Sequence, residues 1–488
     1  MGVINGKQFI DRLNNLETEI WMDGQKLTGL KSEHPAFKGM LQTKALLFDL
    51  QQDPDFKEEM TFVDPKFNED IGLSFLRPKV KEDLIKRRKM MEHWAKLTNG
   101  MMGRTPDYLN SVIMSFAAYA PSLQGKVNCF PENIMNLYEL AKKNDLTFTH
   151  TFITPQVNRS LYYFRTSQDP VTATVIDTND RGIIIKGARL LATQGGLTDE
   201  VLVFSIPNFN IDENEAFAFS IPSDTKGIKF ICRDSFVGGS SSFDHPLSCR
   251  YEEMDSIVVF DHVLVPWNRV FFYGNIEASA NFIRKCPFNC FALFQAVNRQ
   301  IIKLEFMLGL AETIVDTINV SEYLHIHEKM SEIIIGLETM KALLDRAENE
   351  AEVDEYGTLR PNSLPLQVAS NIFPKIYPRF CEIIQLIGAS GLVSLPTENA
   401  FNSENRHDLD HYLQGATKTA EERVKIFRLA WDLTMSPFGT RQTQYERYFF
   451  GDPVRLSSTL YKTYKSDQYV KTVLDFLNIT KDGITPEG

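Results

Sequence analysis

The period of the hydrophobic pattern changes twice along this chain of 488 residues, and no other feature of the sequence restricts the fold more. Residues 1–143 have mainly helical spacing, residues 144–275 carry short β-branched and aromatic runs, and residues 276–488 return to long amphipathic stretches. Short strands at close spacing are typical of a barrel or sandwich, and long amphipathic helices are typical of a bundle. The sequence therefore predicts an α+β, mainly helical protein with an N-terminal helical domain (1–143), a middle β-barrel (144–275) and a C-terminal four-helix bundle with a tail (276–488).

Charge and cysteine content exclude several classes of partner. The net charge of -11 argues against nucleic acid or an anionic membrane surface as the main partner. No apolar run is long enough to span a membrane, and the first residues do not resemble a signal peptide. Six cysteines in a chain of this length give no disulfide framework, so we expect a cytoplasmic protein.

Common cofactor and metal motifs are absent. No Gly-x-Gly-x-x-Gly follows a strand and no Walker-type phosphate loop is present, so a nicotinamide cofactor is not bound in the usual way. Cys286 and Cys290 have no second pair to complete a zinc site. His407 and His411 lie among acidic residues, a pattern more often found on a solvated helix face than at an iron site. We predict no metal.

The stretch GRTPDYLN (103–110) contains a helix start flanked by two functional side chains. Thr105 can cap a helix, Pro106 suits its first position, and Asp107 favours the positive end of the helix dipole. This accounts for the middle of the stretch but not for Arg104 and Tyr108 on either side of it.

Three further stretches carry polar groups in unusual settings. They are THTFITPQVNRS with His150, ARLLATQGG with Thr193 before a Gly-Gly turn, and YERYFFGDPVR near the C-terminus. Each residue has an ordinary reading when taken alone, since a lone histidine is more often a core residue than a catalyst and a threonine favours strands.

Taken in order, these stretches resemble the two-component, FAD-dependent aromatic monooxygenases typified by 4-hydroxyphenylacetate 3-hydroxylase. The resemblance runs nearly the whole chain and implies the acyl-CoA dehydrogenase fold. It also implies a reaction in which reduced FAD and O2 hydroxylate a phenol ortho to its hydroxyl group. The expected partners are the phenolic substrate, a separate NAD(P)H:flavin reductase that supplies reduced FAD, and further copies of the chain in a homotetramer.

The resemblance also assigns roles to residues. Arg104, Tyr108 and His150 match the catalytic groups around the phenol oxygen, and Ser205 and Ile206 match the contacts to the far end of the substrate. The remaining matches are contacts to FAD: Gln156, Val157, Asn158, Arg159, Thr193, Asp452, Pro453, Val454 and Arg455.

Three alternatives are left by the sequence. The first is a halophenol or phenol monooxygenase of the same family, in place of an enzyme for 4-hydroxyphenylacetate. The second is a lyase like 4-hydroxybutyryl-CoA dehydratase, which needs cluster-binding cysteines where this chain has Arg104 and Tyr108. The third is a helical scaffold without activity, in which Arg104, Tyr108 and His150 are ordinary cap, core and strand residues.

Overall fold

The N-terminal region is built mainly of helices, as its periodicity predicts. The computed structural model describes residues 2–155, 170–206 and 212–479. Asn5 caps the first helix, because its side chain accepts the Gln8 N–H at 2.9 Å while the Gln8 side chain accepts the Asn5 N–H. The helices of this region are α1 (Gly6–Asn15), α2 (Lys38–Gln52), α3 (Lys57–Met60), α4 (Lys81–Leu97), α5 (Pro106–Tyr119) and α6 (Pro131–Asn144).

Helix α5 begins where GRTPDYLN predicts, but its first turn is stabilised differently. Thr105 occupies the N-cap position without a capping bond to the main chain, and its hydroxyl donates to the Asp107 carboxylate instead. Asp107 is buried and also accepts from the Gln295 amide. Burial raises the pKa of Asp107, so this residue serves the packing of α5 against the bundle more than the helix dipole.

The middle of the chain forms two sheets. The strands are β5 (Phe148–Thr151), β6 (Thr174–Asn179), β7 (Gly182–Thr193), β8 (Glu200–Phe204), β9 (Phe217–Pro222), β10 (Ile228–Cys232), β11 (Asp255–Pro266) and β12 (Val270–Tyr273). One sheet contains β10, β11, β7 and β6 in that order, and the other is β12-β9-β8-β5. The sheets contact each other where the Phe219 ring packs on Phe260 and where the Thr149 hydroxyl donates to the Thr193 carbonyl. The stretch TNDRG (178–182), whose composition predicts a hairpin turn, joins β6 to β7 as an antiparallel pair.

An N-terminal hairpin extends the larger sheet, which the sequence reading missed. Strands β1 (Ile20–Met22) and β2 (Gln25–Lys26) join its edge, with β1 parallel to β10. The turn is Asp23-Gly24, with φ of 49° and 72°, a pair that suits a tight two-residue hairpin. Strands β3 (Thr61–Asp64) and β4 (Glu69–Gly72) form a separate hairpin in the same region.

Long helices return after β12. The bundle is formed by α9 (Phe288–Ile318), α10 (Leu324–Asn349), α11 (Ser363–Gly388) and α14 (Ala420–Thr434), which pack against one another. The remaining elements are α7 (Ser248–Tyr251), α8 (Ile276–Lys285), β13 (Glu352–Val353), β14 (Leu359–Arg360), α12 (Glu398–Phe401), α13 (Arg406–Tyr412), α15 (Pro437–Tyr448), α16 (Pro453–Thr463) and α17 (Asp467–Phe476).

The three regions share one large hydrophobic core. Helix α9 crosses both α4 and α5 of the N-terminal region, so the bundle and the N-terminal helices are packed directly together. Secondary structure changes at 144–148 and 273–276, close to the predicted boundaries, although the division into domains stays a prediction. No helix in the described part of the chain is both long enough and apolar enough to cross a membrane.

Candidate active site

Arg104, Tyr108 and His150 lie together although they come from different elements. Tyr108 is in the first turn of α5, Arg104 precedes that helix, and His150 is in β5. The Arg104 guanidinium lies 4.1 Å from the centroid of the Tyr108 ring. The Tyr108 and His150 rings meet edge to face with centroids 5.7 Å apart. The structure therefore brings the three residues into one cluster.

Two aromatic residues from the C-terminal region complete this cluster. The Phe449 ring centroid lies 4.5 Å from the Arg104 guanidinium, which also contacts Tyr108. The Tyr108 and Phe449 rings meet edge to face, with their centroids 5.7 Å apart. Tyr445, one turn earlier, contacts Arg104 and Phe449. The stretch YERYFF was singled out in the sequence, but nothing in it indicated contact with Arg104.

Arg104 carries a charge that no carboxylate neutralises. Within the described ranges its guanidinium forms no ion pair, and its one side-chain hydrogen bond donates to the Gly103 carbonyl at a long 3.4 Å. Aromatic faces on its flanks attract the cation without cancelling its charge. The group is therefore available to an anionic oxygen.

The main chain at Arg104 is fixed by a buried carboxylate. Glu253 accepts the N–H groups of Gly103 and Arg104, each at 2.8 Å. Gln194 donates to the Arg104 carbonyl at 3.1 Å and to Glu253 at 3.0 Å. A Cβ atom on Gly103 would lie 2.3 Å from the Tyr445 hydroxyl, so only glycine fits.

His150 is buried and neutral. Burial lowers the pKa of its imidazole well below the usual value, and the nearby Arg104 lowers it further. Its Nδ1 is buried without a hydrogen-bond partner among the described residues. The imidazole is therefore unprotonated near pH 7, and its free nitrogen can accept a hydrogen bond from a hydroxyl group.

Thr193 ends β7 in a strained segment beside this cluster. Its carbonyl accepts from Thr149, the residue before His150, at 2.7 Å. Leu191 and Gln194, on either side of it, have positive φ of 58° and 62°. Such backbone costs roughly 1–3 kcal/mol per residue and is found mainly where function requires a fixed geometry.

Ser205 and Ile206 are predicted to contact the far end of the substrate, but the Ser205 hydroxyl already has hydrogen-bond partners. The Ser205 hydroxyl donates to the Glu215 carbonyl and accepts from Arg189 Nη2 at 3.3 Å, while Ile206 is partly exposed. Arg189 was missed by the sequence reading. Its guanidinium is buried, and burial lowers its pKa to about 10. Phe204, which precedes Ser205, contacts the His150 ring.

Only some of the residues predicted to contact FAD lie in the described part of the chain. Gln156, Val157, Asn158 and Arg159 lie outside the described residues. Asp452, Pro453, Val454 and Arg455 form the start of α16. The Asp452 side chain accepts the Val454 N–H at 3.2 Å, and Pro453 is the first helical residue.

The groups that remain have the chemistry needed to hold FAD. Arg455 is exposed in the first turn of α16 and has no partner among the described residues, which suits a pyrophosphate at a helix N-terminus. Asp452 follows Phe449 by three residues, so the residue that caps α16 lies within roughly 11 Å of Phe449, which packs on Arg104. Thr193 adds a hydroxyl oxygen at the end of β7 that can accept a hydrogen bond. The Arg455 cation and this acceptor thus have the chemistry that a dinucleotide requires.

A metal site has no support in the described part of the chain. No group of three or more histidine, cysteine, aspartate or glutamate side chains there could hold an ion. The His407 side chain is 94% exposed.

Comparison with known proteins gives the same family over the whole chain. The family model for the 4-hydroxyphenylacetate 3-hydroxylase N terminal region matches residues 5–272, and the model for its C terminal region matches residues 279–478. A probable 4-hydroxyphenylacetate 3-monooxygenase of Bacillus subtilis is 64% identical over 478 residues, which are 98% of this chain and 99% of that protein. The oxygenase component of the Thermus thermophilus 4-hydroxyphenylacetate 3-monooxygenase is 43% identical over 473 residues, which are 97% of this chain and 97% of that protein.

Solved structures agree with this result. The oxygenase component of 4-hydroxyphenylacetate 3-monooxygenase, complexed with FAD and 4-hydroxyphenylacetate, is similar with a TM-score of 0.93 and 42% identity over 97% of this chain and 98% of that one. A 4-hydroxybutyryl-CoA dehydratase from N. maritimus reaches a TM-score of 0.88 at 18% identity over 99% and 97% of the two chains, a likeness that shows the fold alone. These likenesses confirm the acyl-CoA dehydrogenase-like fold that the sequence resemblance implies.

Proposed function

This chain belongs to the 4-hydroxyphenylacetate 3-hydroxylase family, and from that membership we propose its substrate and a role for each residue of its site. It is the oxygenase component of a two-component, FAD-dependent monooxygenase. It hydroxylates 4-hydroxyphenylacetate ortho to the phenol hydroxyl, which gives a catechol. Reduced FAD, when bound, supplies an activated oxygen derived from O2.

The catalytic assignment rests on the Arg104 guanidinium, which packs between the Tyr108 and Phe449 rings and forms no ion pair with the described residues. A phenol reacts with an electrophilic oxygen more readily as its own oxygen gains negative charge. Arg104 stabilises that charge, because its guanidinium keeps its proton and has no competing carboxylate among the described residues.

His150 and Tyr108 handle the hydroxyl proton and the orientation of the ring. The buried, neutral imidazole of His150 accepts the phenol proton. Burial raises the pKa of Tyr108, so its hydroxyl stays protonated and offers a directional hydrogen bond. The rings of Phe152, Phe204 and Phe449 surround these groups and exclude water from the reacting oxygen.

The acetate end of the substrate is directed toward Ser205 and Ile206. The Ser205 hydroxyl already donates to the Glu215 carbonyl, so the attraction for a carboxylate comes from the Arg189 guanidinium, whose charge the nearby Glu215 side chain partly offsets. A buried cation favours a substrate with a carboxylate over plain phenol or a halophenol. This is the argument for 4-hydroxyphenylacetate within the family.

FAD is held by residues on both sides of the phenol pocket. Thr193 faces the central ring of the flavin, Arg455 pairs with the pyrophosphate, and Asp452 with Pro453 fixes the helix start that carries Arg455. The segment 156–159 is assigned to the flavin from the resemblance.

A separate reductase supplies the reduced flavin, as the name "oxygenase component" given to the relatives implies. We further propose a homotetramer and a cytoplasmic location. The tetramer is supported by apolar side chains exposed on α16 and α17, and the location by six free cysteines.

The dehydratase alternative lacks its ligands. Positions 104 and 108 are not cysteines, and the thiols of Cys286 and Cys290 donate to the carbonyls of Ser115 and Pro361. Burial raises the pKa of both thiols, which disfavours the thiolates that an iron–sulfur cluster requires.

The reaction is tested by mixing the purified chain with FAD, an NADH-dependent flavin reductase, O2 and 4-hydroxyphenylacetate, and measuring the catechol product by chromatography. We expect Arg104→Ala and His150→Ala to lose at least about 100-fold in hydroxylation, because each removes a group acting on the reacting oxygen. Both should still bind reduced FAD.

Arg346→Ala is the matched control, since Arg346 is exposed on α10 and pairs with Glu350 of the same helix end. It should keep full activity. Absence of catechol from the unaltered protein would contradict the proposed function, and full activity of Arg104→Ala and His150→Ala would contradict the residue roles.

A further inference from the structure

Thr193 and Asp255 face each other across the β7–β11 ladder. Their Cα atoms are register partners, and the Thr193 hydroxyl oxygen lies 2.7 Å from Asp255 Oδ1. Both residues are buried. The hydrogen bond is therefore short, shielded from water and set by main-chain pairing.

Two arginines keep Asp255 ionised. Arg441 donates Nη2 to Oδ1 at 2.8 Å and Nε to Oδ2 at 3.0 Å, and Arg233 donates Nε to Oδ2 at 3.1 Å. Burial works to raise the pKa of Asp255, but these guanidinium groups outweigh it and hold the pKa at about 2. At neutral pH the carboxylate can therefore only accept hydrogen bonds.

The direction of the Thr193 hydroxyl follows from this. Because Asp255 has no proton to give, the hydroxyl hydrogen must point at Asp255, and the Thr193 oxygen presents only lone pairs to anything else. The pairing of β7 with β11 and the hydrogen bond from Thr149 to the Thr193 carbonyl hold the residue in place. Thr193 is thus an acceptor of fixed polarity.

We infer that the Asp255–Thr193 pair makes the site select reduced over oxidised FAD, with Asp255 as the positioning residue. The inference rests on the proposed function, in which Thr193 faces the flavin nitrogen N5. Reduced flavin carries a hydrogen on N5 and can donate it to Thr193. Oxidised flavin has a lone pair on N5, which would meet the lone pairs of Thr193 with no hydrogen between them. The pair therefore helps the site take reduced flavin from a reductase and release it once oxidised.

The test is the ratio of two dissociation constants, for oxidised FAD in air and for reduced FAD under anaerobic conditions, together with the midpoint potential of the bound flavin. Thr193→Val keeps the shape of the residue and removes the acceptor. We expect the preference for reduced FAD to fall about tenfold, which lowers the two-electron midpoint potential by about 30 mV. Thr193→Ser keeps the hydroxyl and should retain the preference.

Asp255→Asn tests the orientation of the Thr193 hydroxyl without removing that hydroxyl. Its amide can donate to the Thr193 oxygen, which frees the hydroxyl to donate to oxidised N5, so the preference should fall as in Thr193→Val. Thr151→Val is the control, because it removes a strand hydroxyl that donates to the Leu190 carbonyl. That variant should change neither the ratio nor the potential.

The inference is overturned if Thr193→Val shifts the ratio less than about twofold from that of the unaltered protein while that protein still forms catechol. Since Thr193→Val preserves the ion pairs of Asp255, this result decides the question even if Asp255→Asn does not fold. Failure of the unaltered protein to form catechol would instead overturn the proposed function, so the two failures are distinguishable.

Discussion

His150 shows how burial alone prepares a residue for its task. Its ring contacts Tyr108, Phe152 and Phe204, and the closest charge is the like charge of Arg104. Both influences disfavour the protonated imidazole. The same influences that keep the imidazole unprotonated also make the folded protein sensitive to acid.

The acid sensitivity can be measured. The unfolded chain protonates His150 near its ordinary pKa of about 6.5, whereas the folded chain resists protonation, so the unfolded state binds more protons below that pH and stability falls. We expect His150 to account for about 1.4 kcal/mol of the stability lost between pH 7.5 and pH 5.5. The check is urea unfolding at both pH values for the unaltered protein and for His150→Gln, which should lose less.

His407→Gln provides the comparison, because the side chain of this histidine is almost fully exposed. Its loss of stability between the two pH values should equal that of the unaltered protein. If His150→Gln also behaves like the unaltered protein, the neutral state assigned to His150 is wrong.

The resemblance to the family predicted the catalytic residues that we propose, but not the residues that hold them. Arg104, Tyr108 and His150 were matched through the motifs that contain them, and their roles stay a prediction. Glu253 and Asp255 stand in a stretch, YEEMDS, that reads as a polar turn before a strand. Their partners are far away in sequence, and no local pattern encodes a hydrogen bond made by tertiary contact.

Among the elements, α15 has the largest influence on the site because it connects the bundle to the pocket. Glu446 forms ion pairs with Arg299 and Lys303 of α9, and all three side chains are buried. Although burial alone would raise the pKa of Glu446, the two cations hold it well below the usual range. Phe449 lies about one turn further along the chain, so these ion pairs also position the ring against Arg104.

Glu446→Gln should therefore be strongly destabilising. It leaves two buried cations without their carboxylate, and we expect a loss of about 3–5 kcal/mol in the free energy of unfolding, measured by urea denaturation. Adding Lys303→Met to the same chain should recover part of that loss, because one of the uncompensated charges is removed.

Glu421→Gln is the control. Glu421 forms partly exposed ion pairs with Lys425, four residues on in α14, and with Arg406, and its substitution should cost less than about 1 kcal/mol. If Glu446→Gln also costs less than about 1 kcal/mol, the buried ion pairs of Glu446 with Arg299 and Lys303 contribute little to stability.

Element positions were predicted better than element pairings. Helical periodicity located the long helices, and the Asn-Asp turn located the β6–β7 hairpin. The β1–β2 hairpin was missed because its strands are only a few residues long, although Asp23-Gly24 is a recognisable turn signal. The parallel pairing of β1 with β10 joins segments distant in sequence, which periodicity cannot show.

At the scale of the whole molecule, α16 and α17 expose apolar side chains that a single chain leaves uncovered. Neither helix has a buried residue, and Tyr461 and Phe476 are each 85% exposed. Exposed apolar side chains concentrated on one segment indicate a protein contact. We assign that contact to other copies of this chain in the proposed tetramer.

We expect the double substitution Tyr461→Lys and Phe476→Lys to shift the protein from tetramer to smaller species in sedimentation velocity experiments, because it places two charges in an apolar interface. Lys462→Ala changes a neighbouring exposed residue of α16 and should leave sedimentation unchanged. An unaltered tetramer in the double variant would place the subunit contact elsewhere.

The contact of Phe449 with Arg104 also has a consequence for protein synthesis. Chains emerge from the ribosome N-terminus first, and their early domains fold before the last residues are made. Arg104, Tyr108 and His150 are therefore present long before the ring that closes the pocket over them. A prematurely terminated chain lacks that wall, so translation must run almost to its end before the protein can direct oxygen at a phenol.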